Sequence, residues 1–277
     1  MKLLSLSGYT PPSHAIIFRQ TRMPALITLL IFTGLTIGLA VGILILGWPG
    51  LLWLGVATLA LLSKFMLSVF IAAMKPTNWT VCLDGSRLLI KYRSYLNHHF
   101  NDDDPAIIQL DINEIVSVSK HRQTMTRKTM DSTQRWKRVS LELALKHGLC
   151  ETIDTALAEE RRRQAPNRGI SRTKALHYLV STHQGDFLRI IWRGRSNCLT
   201  PSIDDILQRL SSTVSLTSTE TEDKQPENMS DEQLDQYIIE LCESGDIFWA
   251  TSILKRRYGY STTEAKKFID ELIGKAA

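Results

Sequence analysis

One short segment of the chain carries residue types that bind metal ions or take part in catalysis. His98 and His99 are followed by a polar run from Asn101 to Asp104 that includes three aspartates. Imidazole and carboxylate groups are ligands of divalent metals, so the His98/Asp102 cluster could serve a metal-dependent enzyme or regulator. It falls in a turn-like loop with no second ligand group near it in the sequence. We therefore assign no metal ligand from the sequence.

The sequence lacks the common motifs of catalysis and cofactor binding. It has no phosphate-binding loop, no G-x-G-x-x-G, no H-E-x-x-H and no G-x-S-x-G, and its seven histidines are scattered. The cysteines Cys82, Cys150, Cys198 and Cys242 are far apart, which is typical of reduced intracellular thiols. We therefore predict that the protein is not an enzyme and has no catalytic residues, metal or cofactor.

Positive charge is concentrated in one stretch between two predicted strands, where seven basic residues accompany one acid, Asp131. The basic residues are Lys120, Arg122, Arg127, Lys128, Arg135, Lys137 and Arg138. Anionic lipids attract such residues by ~1 kcal/mol each near a membrane, so we predict a lipid- or partner-binding surface. A plain solvated loop is the alternative. Nucleic acid is disfavoured, because the net charge is only +5 and Trp136 alone is a poor stacking platform.

Two long apolar segments determine where these residues lie in the cell. Pro24–Trp48 and Leu51–Met74 are each long enough to cross a ~30 Å hydrocarbon core as a helix. Lys64 is the only charged residue in them, and its long side chain can extend to the headgroups. The sequence GWPG between the segments predicts a sharp turn. We predict a transmembrane helical hairpin over residues 23–75, since a buried hairpin of a soluble core would have a polar face.

The charges that flank the apolar segments predict the orientation of the hairpin. Three basic residues precede it, in an N-terminal tail of residues 1–22, and the turn is uncharged. Four more follow closely: Lys75, Arg87, Lys91 and Arg93. Basic residues favour the cytoplasmic side of a membrane. We therefore predict a two-span protein of the bacterial inner membrane with both termini in the cytoplasm.

Three glycines share one face of the first predicted span. Gly34, Gly38 and Gly42 form two overlapping G-x-x-x-G steps, and such small residues let a second helix approach closely. The second helix could be the other span, through Gly55 and its neighbours, or the same span of another copy. The sequence leaves both alternatives open.

Residues 77–212 are predicted to form mostly strands closed by a short helix, with a helical insertion at residues 148–169. The segments WTVCLDGSRLLIKY, IIQLDINEIVSV and SIDDILQRL alternate apolar and polar residues or have helical spacing. Together they resemble the bacterial pleckstrin-homology-like domain found in small membrane proteins. The resemblance implies a bent antiparallel β-barrel capped by a helix, and it does not imply phosphoinositide binding.

A linker at residues 213–229, predicted to be disordered, leads to a three-helix module at residues 230–277. Part of the module resembles the C-terminal domain of the ribosomal stalk protein L7/L12, although the strands that flank those helices there are not evident here. The matching residues are Gly245, Ala250, Ile253, Arg257, Gly259, Glu264, Ala265 and Lys266. We predict that an acidic partner protein binds the basic residues Lys255, Arg256, Arg257, Lys266 and Lys267.

The predicted fold class is therefore a membrane-anchored α+β protein with a helical hairpin, a barrel-like domain and a C-terminal three-helix bundle. The predicted function is that of an adaptor or scaffold, which presents the two cytoplasmic parts to proteins or anionic lipid. A subunit of a membrane complex packed through the glycine face, including a homo-oligomer, is one alternative. The metal-dependent enzyme or regulator is the other.

Overall fold

The 277-residue chain is described here by a computed structural model. The structure describes residues 1–47, 50, 52–128, 133–166, 174–175, 177–183, 187–194, 198–217, 220–223, 226, 229–243 and 247–276. This part of the chain is an α+β fold with seven helices and two β-sheets. It divides into two compact units, a strand-rich unit of Met1–Arg19 with Trp79–Ala277 and a helical unit of Gln20–Asn78.

The helices are α1 (Met23–Leu46), α2 (Leu52–Met74), α3 (Leu149–Arg162), α4 (Ile203–Leu210), α5 (Asp231–Glu243), α6 (Ile247–Tyr258) and α7 (Thr262–Ala276). The strands are β1 (Lys2–Ser5), β2 (Ile16–Gln20), β3 (Val81–Asp84), β4 (Arg87–Lys91), β5 (Pro105–Asp111), β6 (Ile115–Lys128), β7 (Thr133–Leu145), β8 (Val180–His183), β9 (Phe187–Arg193), β10 (Leu199–Thr200), β11 (Ser215–Leu216) and β12 (Glu220–Asp223).

The strands form two sheets that share one apolar core. The first has the order β1-β5-β4-β3-β2-β10, and the second has the order β11-β6-β7-β9-β8, with β12 also pairing with β6. Side chains of both sheets, such as Leu88 and Leu141, meet in the core. The prediction of a barrel was wrong, because the described strands form no closed barrel. One reason is that β1 and β2 occupy the outer edges of β5 and β3, where a closing strand would pair.

The first sheet includes residues that the sequence analysis assigned to the N-terminal tail. Strand β1 pairs with β5, with Leu3 opposite Ile108, and β2 pairs with β3, with Ile17 opposite Cys82. Phe18 is fully buried in the shared core. The chain therefore leaves the sheet after β2 and returns to the neighbouring strand β3, so the helical unit is an insertion between two paired strands.

The helical unit consists mainly of α1 and α2, which pack against each other. Gly47 ends α1 in the left-handed conformation, with φ 63°, as expected for a residue after a helix C-terminus. Both helices are long and apolar enough to span a membrane, with mean hydropathies of 2.4 and 2.0. The predicted pair of long apolar helices is confirmed at this level.

Two predicted helices of the strand-rich unit are also present. Helix α3 lies within the predicted insertion and buries Ile153 and Leu157 in the shared core. Helix α4 is the predicted closing helix, and the hydroxyl of Ser202 accepts a hydrogen bond from the backbone N–H of Asp205. Such a cap satisfies a donor that the first turn of a helix leaves unpaired.

The segment predicted to be a disordered linker contains two short strands. Strands β11 and β12 both run parallel to β6, with Ser215 opposite Ser117 and Glu220 opposite His121. Helices α5, α6 and α7 follow and form the predicted three-helix module. Their core includes Leu234, Ala250 and other apolar residues of all three helices. Acidic strand β12 therefore lies along the basic strand β6, a long-range pairing that composition does not reveal.

Candidate functional site

The predicted basic surface lies on the long hairpin formed by β6 and β7. The two strands are antiparallel, and Arg122, Thr124 and Thr126 lie opposite Val139, Lys137 and Arg135. Because side chains alternate between the two faces of a strand, Arg122, Thr124, Arg135, Lys137 and Val139 share one face of the hairpin. The intervening residues of each strand lie on the opposite face.

The first of these faces is basic and exposed. The side chains of Arg122, Arg135 and Lys137 are all exposed on it. Lys120, nearer the base of the hairpin, forms an ion pair with Asp204 of α4, with Nζ 2.6 Å from Oδ1. Three of the predicted basic residues thus form one surface, which we call the basic face. Its three charges are accessible from solvent.

The opposite face of the hairpin is buried, and it contains one of the predicted surface residues. Arg138 is 4% exposed, so its prediction as a surface residue was wrong. Gln123, which lies opposite Arg138, is buried with no hydrogen-bond partner for its side-chain amide among the described residues. The backbones of Arg127 and Lys128 belong to β6, but their side chains lie outside the described part of the chain.

The buried face of the hairpin contacts the C-terminal helical module. Met125 is fully buried and belongs to the apolar core of α5, α6 and α7, and Trp136 packs against the same core. The hydroxyl of Tyr237 donates a hydrogen bond to Sδ of Met125 at 3.6 Å. The module is therefore docked on the hairpin through apolar and aromatic side chains.

The five basic residues predicted to bind an acidic partner are exposed on the helical module. Some are also held within it, since Lys255 donates to Thr262 and Lys267 lies 3.8 Å from Glu271. Tyr258 stacks on Tyr260 and donates to Asp231. Burial, followed by the hydrogen bond to Asp231, raises the pKa of Tyr258 above its ordinary value.

The three glycines of α1 differ in their surroundings. A methyl group added at Gly34 or Gly38 would meet no atom within 4 Å, whereas Gly42 is buried. A methyl group added at Gly55 of α2 would lie 3.2 Å from Cδ2 of Leu39. The close approach of the two helices therefore uses Gly55 against a leucine, and Gly34 and Gly38 do not contribute to it.

The segment from His98 to Asp104 does not assemble a metal site in the described part of the chain, where no group of three or more His, Cys, Asp or Glu is placed to hold an ion. The rings of His98 and His99 contact each other edge to face. The carboxylate of Asp104 lies 2.5 Å from Nη1 of Arg163 and 3.7 Å from Arg93. These contacts join the loop to the end of α3.

Two basic residues just before this loop are buried, although from the sequence they were predicted only to orient the apolar helices by their positive charge. Arg93 is 2% exposed and is held by Glu160, and Lys91 is 6% exposed. Burial, reinforced by the positive charge of Arg93, lowers the pKa of Lys91 to about 7. Lys91 is the last residue of β4 and lies on the same face as the buried Leu89, two residues earlier. This spacing is the signal in the sequence that the side chain of Lys91 points inward.

A comparison of the chain with known protein families, curated proteins and solved structures found no match. The resemblances to a pleckstrin-homology-like domain and to the L7/L12 C-terminal domain therefore stay predictions.

Proposed function

We propose that the protein is an adaptor anchored in the bacterial inner membrane by α1 and α2. In this proposal the strand-rich unit faces the cytoplasm, where the basic face contacts anionic lipid and the helical module contacts a partner protein. The observation behind it is the exposure of the two helices. Only 6% and 11% of their most apolar windows are buried within the chain, whereas a core helix of a soluble protein would be mostly buried.

The strand pairing supports a location of both chain ends on one side of the membrane. Strands β1 and β2 precede the apolar helices, and their partners β5 and β3 follow them. Paired strands must lie on the same side of the membrane, so the helical unit between them crosses it an even number of times. The basic residues on both flanks favour the cytoplasm as that side.

The topology can be tested with reporter domains fused before Lys2 and after Ala277 of the full chain. Both fusions should report a cytoplasmic location, because the two ends belong to one strand-rich unit. A periplasmic signal from either fusion would contradict the proposed topology.

The lipid contact can be tested with the full chain in nanodiscs of phosphatidylglycerol or phosphatidylcholine. A fluorophore is placed at Thr124→Cys on the basic face, with the partly exposed Cys198 replaced by serine, and quenched by headgroup-labelled lipid. Quenching should be stronger in the anionic discs and should fall as salt rises, because the attraction is screened over ~8–10 Å at physiological ionic strength.

The matched variants isolate the three charges of the basic face. Arg122→Ser, Arg135→Ser and Lys137→Ser together should abolish the difference between the two lipids. Replacing the exposed residues Lys146, Arg162 and Arg209 by serine removes the same charge elsewhere and should preserve the difference. Equal quenching in both lipids would assign the basic face to a protein partner or to solvent.

A second candidate function is that of a subunit of a membrane complex, including a homo-oligomer. It is favoured by the open surroundings of Gly34 and Gly38, where a second helix could approach closely. Gly38→Leu should then reduce crosslinking between differently tagged copies in the membrane. Gly55→Leu disturbs the contact within one chain instead and serves as the comparison, so equal crosslinking in wild type and Gly38→Leu would remove this candidate.

A further inference from the structure

The helical module contains a cavity of ≈ 180 Å³ lined by Pro226, Trp249, Ile253, Arg256 and Arg257. Four of these residues belong to α6. Ile253 lies four residues after Trp249, and Arg256 and Arg257 lie three and four residues after Ile253. Residues at such spacing share one stripe of a helix. The cavity is therefore built on a single face of α6, with Pro226 completing its wall.

The cavity has an apolar floor and a positively charged rim. Trp249 is 2% exposed and Ile253 is 4% exposed, so their side chains form a floor with little contact to water. The guanidinium carbon of Arg256 lies 5.9 Å from the centre of the Trp249 ring, within the range of a cation–π contact. Nη2 of Arg257 donates to the carbonyl oxygen of Met229 at 3.2 Å and lies 3.5 Å from Oδ1 of Asp231, so its guanidinium is held at the rim and its charge is partly balanced within the module.

We propose that this cavity binds a carboxylate group carried beside an apolar group, as found in an acidic and apolar segment of a partner protein. The inference rests on the proposed function, in which the module meets a partner, and it names the chemistry of that contact. A guanidinium group matches a carboxylate with two parallel N–H donors. Arg256 places such a group over the apolar floor, and Arg257, which also faces Asp231, adds a second positive charge at the rim. The buried indole and the isoleucine favour an apolar group directly beside the charge.

The surroundings of the cavity favour a protein segment over a lipid surface. Phe248, the neighbour of Trp249, is 70% exposed, and exposed aromatic residues are typical of protein contacts. Lys255 adds another exposed positive charge to the same helix. A concave site with an apolar floor suits one inserted side chain, whereas a flat basic surface such as the basic face suits a membrane.

The test uses the full chain in neutral detergent micelles with 15N-labelled tryptophan. The indole N–H resonance of Trp249 is assigned from Trp249→Phe and followed during titration with 4-phenylbutyrate, which carries a carboxylate on an apolar tail. The resonance should shift saturably with a Kd on the order of 1 mM, as expected for a ligand of about twelve non-hydrogen atoms. The neutral analogue 4-phenylbutyramide has the same shape and should bind at least about tenfold more weakly.

Variants separate the rim charges from the fold of the module. Arg256→Gln should weaken phenylbutyrate binding at least about fivefold, and Arg257→Gln should do the same if the module remains folded. Arg87→Gln removes an exposed arginine of β4 and should leave the affinity unchanged. A folded Arg256→Gln variant that binds phenylbutyrate as tightly as the wild type would overturn the proposal.

Other outcomes are equally decisive. Equal affinity for the acid and the amide, or shifts of equal size in every tryptophan resonance, would show that no carboxylate site exists. A stronger shift on adding phosphatidylglycerol than on adding phenylbutyrate would assign the cavity to lipid. Each of these results can occur while the topology and nanodisc experiments give the expected outcome. The proposal of a carboxylate site can therefore be rejected without rejecting the proposed adaptor function.

Discussion

The guanidinium group of Arg93 holds the carboxylate of Glu160 through two hydrogen bonds, from Nε to Oε1 at 2.9 Å and from Nη2 to Oε2 at 3.0 Å. Both side chains are only 2% exposed. Arg93 follows β4 in the first sheet, and Glu160 lies in the last turn of α3. The pair therefore fastens the helical insertion to the loop that carries His98 and His99.

Removing one member of this pair should strongly destabilise the strand-rich unit. Glu160→Gln leaves the buried guanidinium of Arg93 with only the more distant carboxylate of Asp104, 3.7 Å away, as a counter-charge. We therefore expect a loss towards the lower end of about 3–5 kcal/mol in the free energy of unfolding. Thermal unfolding of the full chain in detergent, followed by circular dichroism, measures the effect. Replacing both residues by methionine should restore most of the stability, because an apolar pair needs no counter-charge.

The control for this experiment is an exposed ion pair elsewhere in the chain. The side chains of Lys267 and Glu271 on α7 are 80% and 58% exposed. Lys267→Ala should change the stability by less than about 1 kcal/mol. If Glu160→Gln had an equally small effect, the buried pair would not stabilise the junction of α3 and the loop.

Lys91 predicts a specific dependence of stability on pH. Its pKa is about 7 in the folded chain and 10.5 for an ordinary lysine, so the unfolded chain binds more protons between these values. Stability should therefore rise as the pH increases from about 7 towards 10.5. Lys91→Met should raise the melting temperature at pH 6–7, where the charged form is buried at a cost.

The gain from Lys91→Met should shrink as the pH approaches 10.5, because the lysine of the unfolded chain then also loses its proton and folding no longer has to remove one. Lys146→Met, at an exposed position just after β7, is the control and should show no such trend. If Lys91→Met stabilised the chain equally at every pH, burial would not shift the pKa of Lys91.

The sequence predicted the elements that depend on local patterns. The two apolar helices follow from composition, and the β3–β4 hairpin follows from the Asp84-Gly85 turn between alternating strands, where Gly85 has φ 56°. The capping boxes of Ser230 with Gln233 and Ser261 with Glu264 are both formed. Each of these features is decided within a few residues of the chain.

The sequence could not predict features that depend on pairing between distant segments. Arg138 and Lys137 are neighbours in a basic run, yet one is buried and the other exposed, because successive side chains of a strand point to opposite faces and only one face is covered by other parts of the chain. The face that carries Met125 is buried because the helical module packs against it, and this contact between distant segments cannot be predicted from the local sequence. Similarly, β1 and β12 have only four residues each, and they pair as strands with the distant strands β5 and β6.

Docking of the helical module should depend on Met125. Met125→Ala removes a fully buried side chain from the core of the module, and such changes typically cost about 2–5 kcal/mol. We expect faster proteolytic cleavage between Leu216 and Met229, with release of a fragment that contains α5, α6 and α7. Gel analysis and mass spectrometry of a limited digest measure the rate and the site.

The matched control is Thr124→Ala, one residue earlier and on the opposite face of the hairpin. It should leave the cleavage rate close to that of the wild type. If Met125→Ala also left the cleavage rate unchanged, the contact of Met125 with the helical module would not be what docks the module on the hairpin.

The insertion of the helical unit between β2 and β3 predicts which soluble fragment folds. Phe18 lies opposite Val81, and the backbone N–H of Thr80 donates to the carbonyl oxygen of Phe18 at 2.9 Å. A short glycine–serine turn in place of residues 21–78 can therefore join the two strands. The resulting chain should be soluble without detergent and should unfold cooperatively on heating, as measured by circular dichroism and size-exclusion chromatography.

A fragment that starts at Thr77 provides the comparison, because it also lacks the apolar helices but loses β1 and β2. It would leave the edges of β5 and β3 unpaired and remove the buried side chain of Phe18 from the shared core. Open edges of this kind promote association between chains. We expect this fragment to aggregate or to lack a cooperative transition, and a folded monomer from it would contradict the structural role given to the first two strands.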